Sequence, residues 1–343
     1  MAGDVSARRW VRALRRVALV EWRSPSLSGR VRPVPLRHSG RKAWAAQTDT
    51  GSLPPGVRPE PTDGHPVRAA VRADAVVIGK FDVAREVRLR SFYTEPGLTV
   101  RFQAGGRPNG VSRTVLAHRA VTPHDPGLMP ALEDHGRARP TRGVYLVERT
   151  LPGRAVRKDE LLDLVEQLAT RLHRVHQGVG VERRPLSRAV SPHLPDRWGA
   201  FADTQALSAG LRTRVAALLD RDDLLEVSFG HGDLVRSNML LHDGTLRLID
   251  WEYSGEQPIA FDLAKVHLNC PDPQAGFDSL IRGLGTVGSG PGGYSLAEQI
   301  ALGHVQALSW DQARRQRAEA AGRLPQLQRR TQQRIEAISA LLD

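Results

Sequence analysis

Apolar residues recur with a helical rhythm in several stretches of the chain. Leu161, Val165, Leu168, Leu172 and Val175 keep the i, i+4, i+7 spacing of one helix face, which predicts an amphipathic helix over 158–177. Leu207, Leu211 and Leu218 predict another over 205–219. Residues 5–22 set Val5, Trp10, Val11, Leu14, Val17 and Leu19 among arginines. That pattern reads as a basic helix packing one face on the domain, with a transit peptide or a helix on acidic lipid as alternatives. Further helices are expected over 84–93 and 277–281. Ser295 and Glu298 form a capping box ahead of a helix through Leu296, Ile300 and Leu308, and 326–342 reads as a basic helical tail.

Apolar runs predict strands at 41–48, 75–81, 98–103, 114–121 and 143–148. Met239-Leu240-Leu241 and Leu246-Arg247-Leu248-Ile249 flank Asp243-Gly244, a pair that favours a tight turn, so they predict a β-hairpin. Ser52 to Pro66 is a long turn-rich insertion, and Ser39-Gly40-Arg41 is the best short turn near it. Gly283-Leu284-Gly285-Thr286-Val287-Gly288 satisfies the dinucleotide pattern G-x-G-x-x-G. A helix rather than a strand is expected ahead of it, so it reads as a loop.

With 343 residues, 40% of them hydrophobic and 25% charged, the chain has the composition of a globular protein and the length for two lobes. Cys270 is the single cysteine, which excludes an intramolecular disulfide and a cysteine-rich zinc site and fits a cytoplasmic protein. No apolar run approaches the roughly 20 residues of a membrane span. A net charge of +12 favours anionic partners, a nucleotide among them. The excess is mostly arginine spread along the chain, without an aromatic-interleaved basic patch, so nucleic acid is not an expected partner. His173 and His176 share a helix face without a third ligand nearby and read as a packed pair, not a metal site.

The candidate chemistry lies between Phe229 and Ala264. Asp233 is followed five residues later by Asn238, and Asp250 comes twelve residues after that. Phosphoryl transfer needs positioning and charge neutralisation more than covalent help. A carboxylate on a loop, Asp233, suits the proton of an attacking hydroxyl. Magnesium takes oxygen ligands, which the Asn238 amide and the Asp250 carboxylate offer. The hairpin between them would fold Asp250 back beside Asn238.

On these residues the segment resembles the aminoglycoside phosphotransferase and choline kinase-like group, small-molecule kinases with a protein-kinase-like fold. His231-Gly232-Asp233 with Asn238 looks like that group's catalytic loop. Ile249-Asp250-Trp251-Glu252 looks like its metal-binding element, and Asp262-Leu263-Ala264 like the Asp-Leu-Ala that follows. The resemblance implies an α+β, two-lobed fold with a small sheet-containing N-lobe over 1–150 and a larger, mainly helical C-lobe over 151–343. It implies ATP and magnesium as cofactors, with Asp233 catalytic, Asn238 and Asp250 on the metal, and His231 and Asp262 supporting the loop.

It also implies a strand lysine on the nucleotide phosphates, for which Lys80 is the candidate, paired with Glu86 from the following helical run. Strand 143–148, ending in Glu148 before Arg149-Thr150-Leu151-Pro152-Gly153, resembles the hinge whose backbone bonds the adenine. A glycine-bearing hairpin over the phosphates is not recognisable between 24 and 75. Twelve residues from Asp250 to Asp262 leave no room for a long activation loop, which favours a small hydroxylated acceptor over a protein. The carboxy-terminal helices would wall its pocket, and Glu252, Glu256, Asp272 and Asp278 would make that pocket acidic or else be solvated. The rival reading is a non-catalytic, pseudokinase-like binder.

Overall fold

The computed structural model describes residues 13, 15–27, 36–39, 43–46, 73, 75–78, 88–93, 97–104, 109–138, 143–205, 207–285, 290–320 and 322–343. The insertion 52–66, the Gly40-Arg41 turn, Lys80, Glu86 and residues 286–288 of the glycine pattern lie outside them. The chain divides into two compact units, one of residues 1–122, 126–154 and 241–252, the other of 123–125, 155–240 and 253–343.

The first unit holds helix α1 (15–23), strands β1 (Leu36–Ser39), β2 (Ala43–Ala46), β3 (Ala75–Ile78), β4 (Arg88–Tyr93) and β5 (Leu98–Ala104), helix α2 (Gly110–Val121), and strands β6 (Leu132–Ala138) and β7 (Gly143–Arg149). The strands make one sheet in the order β1-β2-β3-β4-β5-β7-β6, every neighbouring pair antiparallel. Its core gathers Val17 and Val20 of α1 with Leu89, Tyr93, Leu98, Val100, Phe102 and Val147. The buried Glu21 carboxylate accepts from the Tyr93 hydroxyl at 2.8 Å and the Ala73 amide at 3.0 Å. Helix α1 is therefore part of this core, as the packed-helix reading expects.

Two expectations are corrected here. Arg88–Tyr93, assigned to a helix from residue 84, is strand β4, and its first four residues alternate half-exposed Arg88 and Arg90 with buried Leu89 and Ser91. Thr114–Val121, expected as a strand, lies in α2. Its start is set by a capping box in which Asn109 Oδ1 accepts from the Ser112 amide and Ser112 Oγ accepts from the Asn109 amide, both at 2.9 Å. Strand β6 was not anticipated. It lies at the sheet edge and is mostly polar, so it carries no apolar run to read.

A short β8 (Arg154–Ala155) precedes the long helix α3 (Leu161–Val179). Then follow β9 (Glu182–Pro185), α4 (Leu186–Ala189), α5 (Leu194–Thr204), α6 (Ala209–Asp220) and β10 (Leu224–Gly230). Strands β11 (Met239–His242) and β12 (Thr245–Leu248) are sheet neighbours flanking Asp243 and Gly244, whose φ values of 48° and 70° make the expected tight turn. Strand β13 (Gly255–Pro258) and helices α7 (Ile259–Asn269), α8 (Pro273–Leu284), α9 (Leu296–Leu308), α10 (Asp311–Ala320) and α11 (Leu324–Leu342) complete the chain. In the second unit β10 pairs antiparallel with β13 and β9.

The predicted stripe of α3 is buried at all five positions from Leu161 to Val175. A core of Trp198, Phe201, Leu211, Val215, Leu225, Leu302, Val305 and Ile338 joins α5, α6, β10, α9 and α11. Ser295 and Glu298 form the expected capping box at the head of α9. No helix of the described residues is long and apolar enough to cross a membrane.

The described part of the glycine pattern, expected as a loop, is instead the end of a helix. Gly283 lies inside α8, where a Cβ would sit 2.6 Å from Ala169 Cβ and 2.7 Å from the Glu166 carbonyl oxygen of α3. Gly285 ends the helix at φ 62°. A helix precedes these glycines where a dinucleotide site needs a strand. Gly283→Ala is expected to destabilise the protein by about 1–3 kcal/mol through overpacking, read as a fall in denaturation midpoint with nucleotide affinity unchanged.

Candidate active site

In the second unit, β10 ends at Gly230 and the chain turns through His231, Gly232 and Asp233. Asp262, buried in the first turn of α7, holds this turn by its backbone. Its carboxylate accepts from the His231 amide at 2.6 Å, the Gly232 amide at 3.1 Å and Gln257 Nε2 at 2.7 Å. Lys265 Nζ lies 3.3 Å from Asp262 Oδ1 and also donates to the Gly232 carbonyl. A carboxylate in the first turn of a helix is further favoured by the helix dipole. Gly232 has φ 79°, and a Cβ there would lie 2.1 Å from the Tyr253 carbonyl oxygen, so only glycine fits.

His231 is fully buried, and its Nδ1 accepts the Asp233 amide at 3.2 Å, which places its ring proton on Nε2. The Asp233 carbonyl accepts from the Val235 amide at 2.8 Å and from Asn238 Nδ2 at 2.9 Å. The same Asn238 amide group reaches Asp233 Oδ2 at 3.3 Å. The five-residue spacing thus brings Asp233 and Asn238 into direct contact. Asn238 uses its nitrogen on Asp233, and among the described residues its Oδ1 has no partner.

Asp250 belongs to the first unit, with φ 68° in the left-handed region. Its Oδ1 accepts from Arg90 Nη2 at 3.3 Å and Arg101 Nη1 at 3.2 Å, leaving Oδ2 without a partner among the described residues. Arg101, buried on β5, turns its other nitrogen to Glu148 of β7 at 3.1 Å. Thr99 is opposite Glu148 and Arg101 opposite Leu146, so the pair meets diagonally across neighbouring strands. His118 Nε2 of α2 reaches Glu148 at 2.9 Å. Burial alone would raise the Glu148 carboxyl, but Arg101, the His118 bond and nearby charge outweigh it and hold it below its ordinary range.

The Glu148 side chain, expected near the nucleotide, is thus engaged by Arg101 and His118. Arg101 was not singled out in the sequence. Its signal is an arginine inside the apolar run Leu98-Thr99-Val100-Arg101-Phe102. The four acids considered for an acidic pocket have local partners instead. Glu252 pairs with Arg88 at 2.9 Å and exposed Glu256 with Arg184, while Asp272 caps α8 and Asp278 accepts from Gln274. His176 is buried and pushed down to about 4 by desolvation, a neutral packed ring.

Among the described residues no group of three or more His, Cys, Asp or Glu side chains is arranged to hold a metal ion. Asn238 Oδ1 and Asp250 Oδ2 are unpartnered hard oxygens, the donor type magnesium takes.

A model of the phosphotransferase enzyme family (APH) matches residues 113–298, more than half of the chain. No curated protein matches the sequence. Among solved structures the chain is similar to choline kinase LicA from Streptococcus pneumoniae, at 16% identity and a TM-score of 0.50, covering 76% of this chain and 92% of that one. A putative aminoglycoside phosphotransferase from Ralstonia eutropha gives 12%, 0.50, 78% and 92% on the same measures. The GDP and kanamycin complex of APH(2")-IIia gives 14%, 0.50, 79% and 94%. These likenesses show a protein-kinase-like, α+β fold.

Asp262→Ala is expected to release the His231–Gly232 turn and lower the denaturation midpoint, because it leaves two backbone amides and the half-buried Lys265 without their anion, at about 3 kcal/mol or more. The Glu148 pair gives a pH test. A carboxyl with a depressed folded pKa stabilises the fold above its ordinary value of 4.5 and stops doing so as pH falls through the lower folded value. Wild type should therefore exceed Glu148→Gln in thermal midpoint at about pH 7, with the gap narrowing as pH falls below 4.5.

Proposed function

The chain belongs to the phosphotransferase enzyme family, and from that premise we propose that it moves the γ-phosphoryl group of ATP onto a hydroxyl of a small molecule. The observation that carries this reading is the Asp233–Asn238 pair on the turn clamped by Asp262. Asp233 accepts the hydroxyl proton and aims the oxygen. Asn238, fixed by its bonds to Asp233, presents Oδ1, and Asp250 presents Oδ2, as the oxygens that would hold magnesium. The chemistry a bound magnesium ion supplies is neutralisation of phosphate charge. Arg101, buried and with Nε unpartnered, is the described residue of the first unit best suited to nucleotide phosphates. Lys80 keeps the part of a second phosphate contact, with Glu86 as its pair.

A small acceptor is supported by the short interval after Asp250, occupied by a single 3-10 turn (Trp251–Tyr253) and β13 before α7 begins. Choline kinase and aminoglycoside phosphotransferase are the activities named for the similar structures. One observation favours a non-catalytic binder instead: Asp250 Oδ1 already faces two guanidinium groups, which compete with a cation for that carboxylate.

ATP consumption with a panel of hydroxylated acceptors separates the readings. Asp233→Ala should lower turnover at least ~100-fold with nucleotide affinity nearly unchanged, the size of a general-base contribution. Turnover equal to wild type removes Asp233 from the role. Absence of any turnover in the wild type, with magnesium nucleotide still bound, assigns the chain to the non-catalytic class.

A further inference from the structure

The carboxy-terminal helices gather positive charge beside the catalytic turn. Arg330 and Arg334 lie four residues apart on α11, so they share a helix face where like charges repel. Arg314 comes from α10. The three guanidiniums act on one another: the charges of Arg314 and Arg330 both bear on Arg334, and that of Arg330 bears on Arg314. Asp311 and, after it, Asp233 also act on Arg314, which puts that arginine within electrostatic reach of the proposed base.

What balances this charge is sparse. Arg314 Nη1 donates only to the Ala307 carbonyl at 3.0 Å, and Arg334 Nη1 only to His304 Nδ1 at 2.9 Å. None of the three arginines has a carboxylate within ion-pair distance among the described residues. Asp311, the acid whose charge bears most on Arg314, is buried, accepts from Thr331 Oγ1 at 2.8 Å and lies 3.9 Å from Arg315, but it is not within ion-pair distance of Arg314.

Arg334 is also aimed. Its guanidinium can only donate, so His304 Nδ1 accepts and the His304 proton sits on Nε2. That proton points at His267 Nδ1, 3.1 Å away, and His267 in turn bonds the Pro273 carbonyl. Both rings are held neutral by burial, His267 near 4 and His304 well below its ordinary value. Two neutral, buried imidazoles give Arg334 direction without giving it a counter-charge. Desolvation, with the two neighbouring arginines, pushes Arg334 itself down to about 10. A half-buried cation held in this way is costly unless an anion joins it.

We propose that the acceptor carries an oxyanion, a carboxylate or a phosphate, which Arg314, Arg330 and Arg334 bind while its hydroxyl meets Asp233. This rests on the phosphotransferase reading of the site and narrows it to hydroxy acids and phosphorylated polyols or sugars. Polycationic aminoglycosides and choline-like amino alcohols would meet repulsion there. In the transfer, the bond from the γ-phosphorus to the β,γ-bridging oxygen breaks and a bond from that phosphorus to the acceptor oxygen forms. The hydroxyl proton passes to Asp233, and ADP leaves.

The test uses the full chain with magnesium and a non-hydrolysable ATP analogue. Glycerate, gluconate and glucose 6-phosphate are titrated beside glycerol, glucose, choline and kanamycin, and each is then offered with ATP. The anionic probes should bind and be phosphorylated, and comparing the carboxylates with the sugar phosphate tells which oxyanion is preferred. Arg334→Gln and exposed Arg330→Gln should each weaken them about 10- to 100-fold, the worth of a hydrogen bond to a charged group. Without ligand, Arg330→Gln should keep or raise the thermal midpoint, since it relieves repulsion, a response that a merely structural arginine would not give. Choline or kanamycin accepted as well as the anions, with rates untouched by either variant, overturns the proposal. Anion binding that depends on the arginines but comes without any nucleotide binding supports the oxyanion site and overturns the kinase reading instead.

Discussion

The second unit's chemistry depends on one buried carboxylate. Asp262 is fixed at the head of α7 and gathers the amides of His231 and Gly232, so the turn at the end of β10 has a single shape. Glycine at 232 lets the backbone pass under the Tyr253 carbonyl, and Lys265 neutralises the clamp while binding the same turn. Asp233 and Asn238 are positioned only after this is done. The polar residues that would meet substrate therefore lie downstream of a backbone interaction that touches no substrate.

Much of this was readable in order along the chain. The Asp233–Asn238 spacing, the Asp243-Gly244 turn, the α3 stripe and the Ser295 cap are local patterns, and each is found where its pattern stands. The errors came where local signals compete. The Ala84-Arg85-Glu86-Val87 run has helix-forming residues and masked the period-two alternation of Arg88 to Ser91 behind it. Valine and threonine in Thr114–Val121 suggested a strand, although Asn109 and Ser112 just ahead carry a helix-start signature. Edge strands β6 and β9 are mostly polar or charged and carry no apolar run. Arg101 with Glu148 was beyond reach for a different reason: 47 residues separate the pair, and only the pairing of β5 with β7 brings them together.

Arginine is used in two opposite ways in this basic chain. In the first unit Arg101 and Arg90 are balanced by Glu148 and Asp250. In the second unit Arg314, Arg330 and Arg334 have no carboxylate within ion-pair distance among the described residues, and a neutral pair, His304 and His267, holds one of them. A net charge of +12 says nothing about this division. It appears only when each guanidinium is matched to its neighbours.

Helix α1 carries a further implication. Its Val17 and Val20 are core residues, and Glu21 bonds Tyr93 of β4 and the Ala73 amide. The region shared with the wider family begins at residue 113, after five of the seven sheet strands have been laid down. A fragment cut at that homology border would lose α1 together with most of the strands it packs on, and would leave β7 with an open edge where β5 had paired. A self-sufficient piece of this chain therefore has to reach back to the strands before that border, not merely to where recognisable kinship starts.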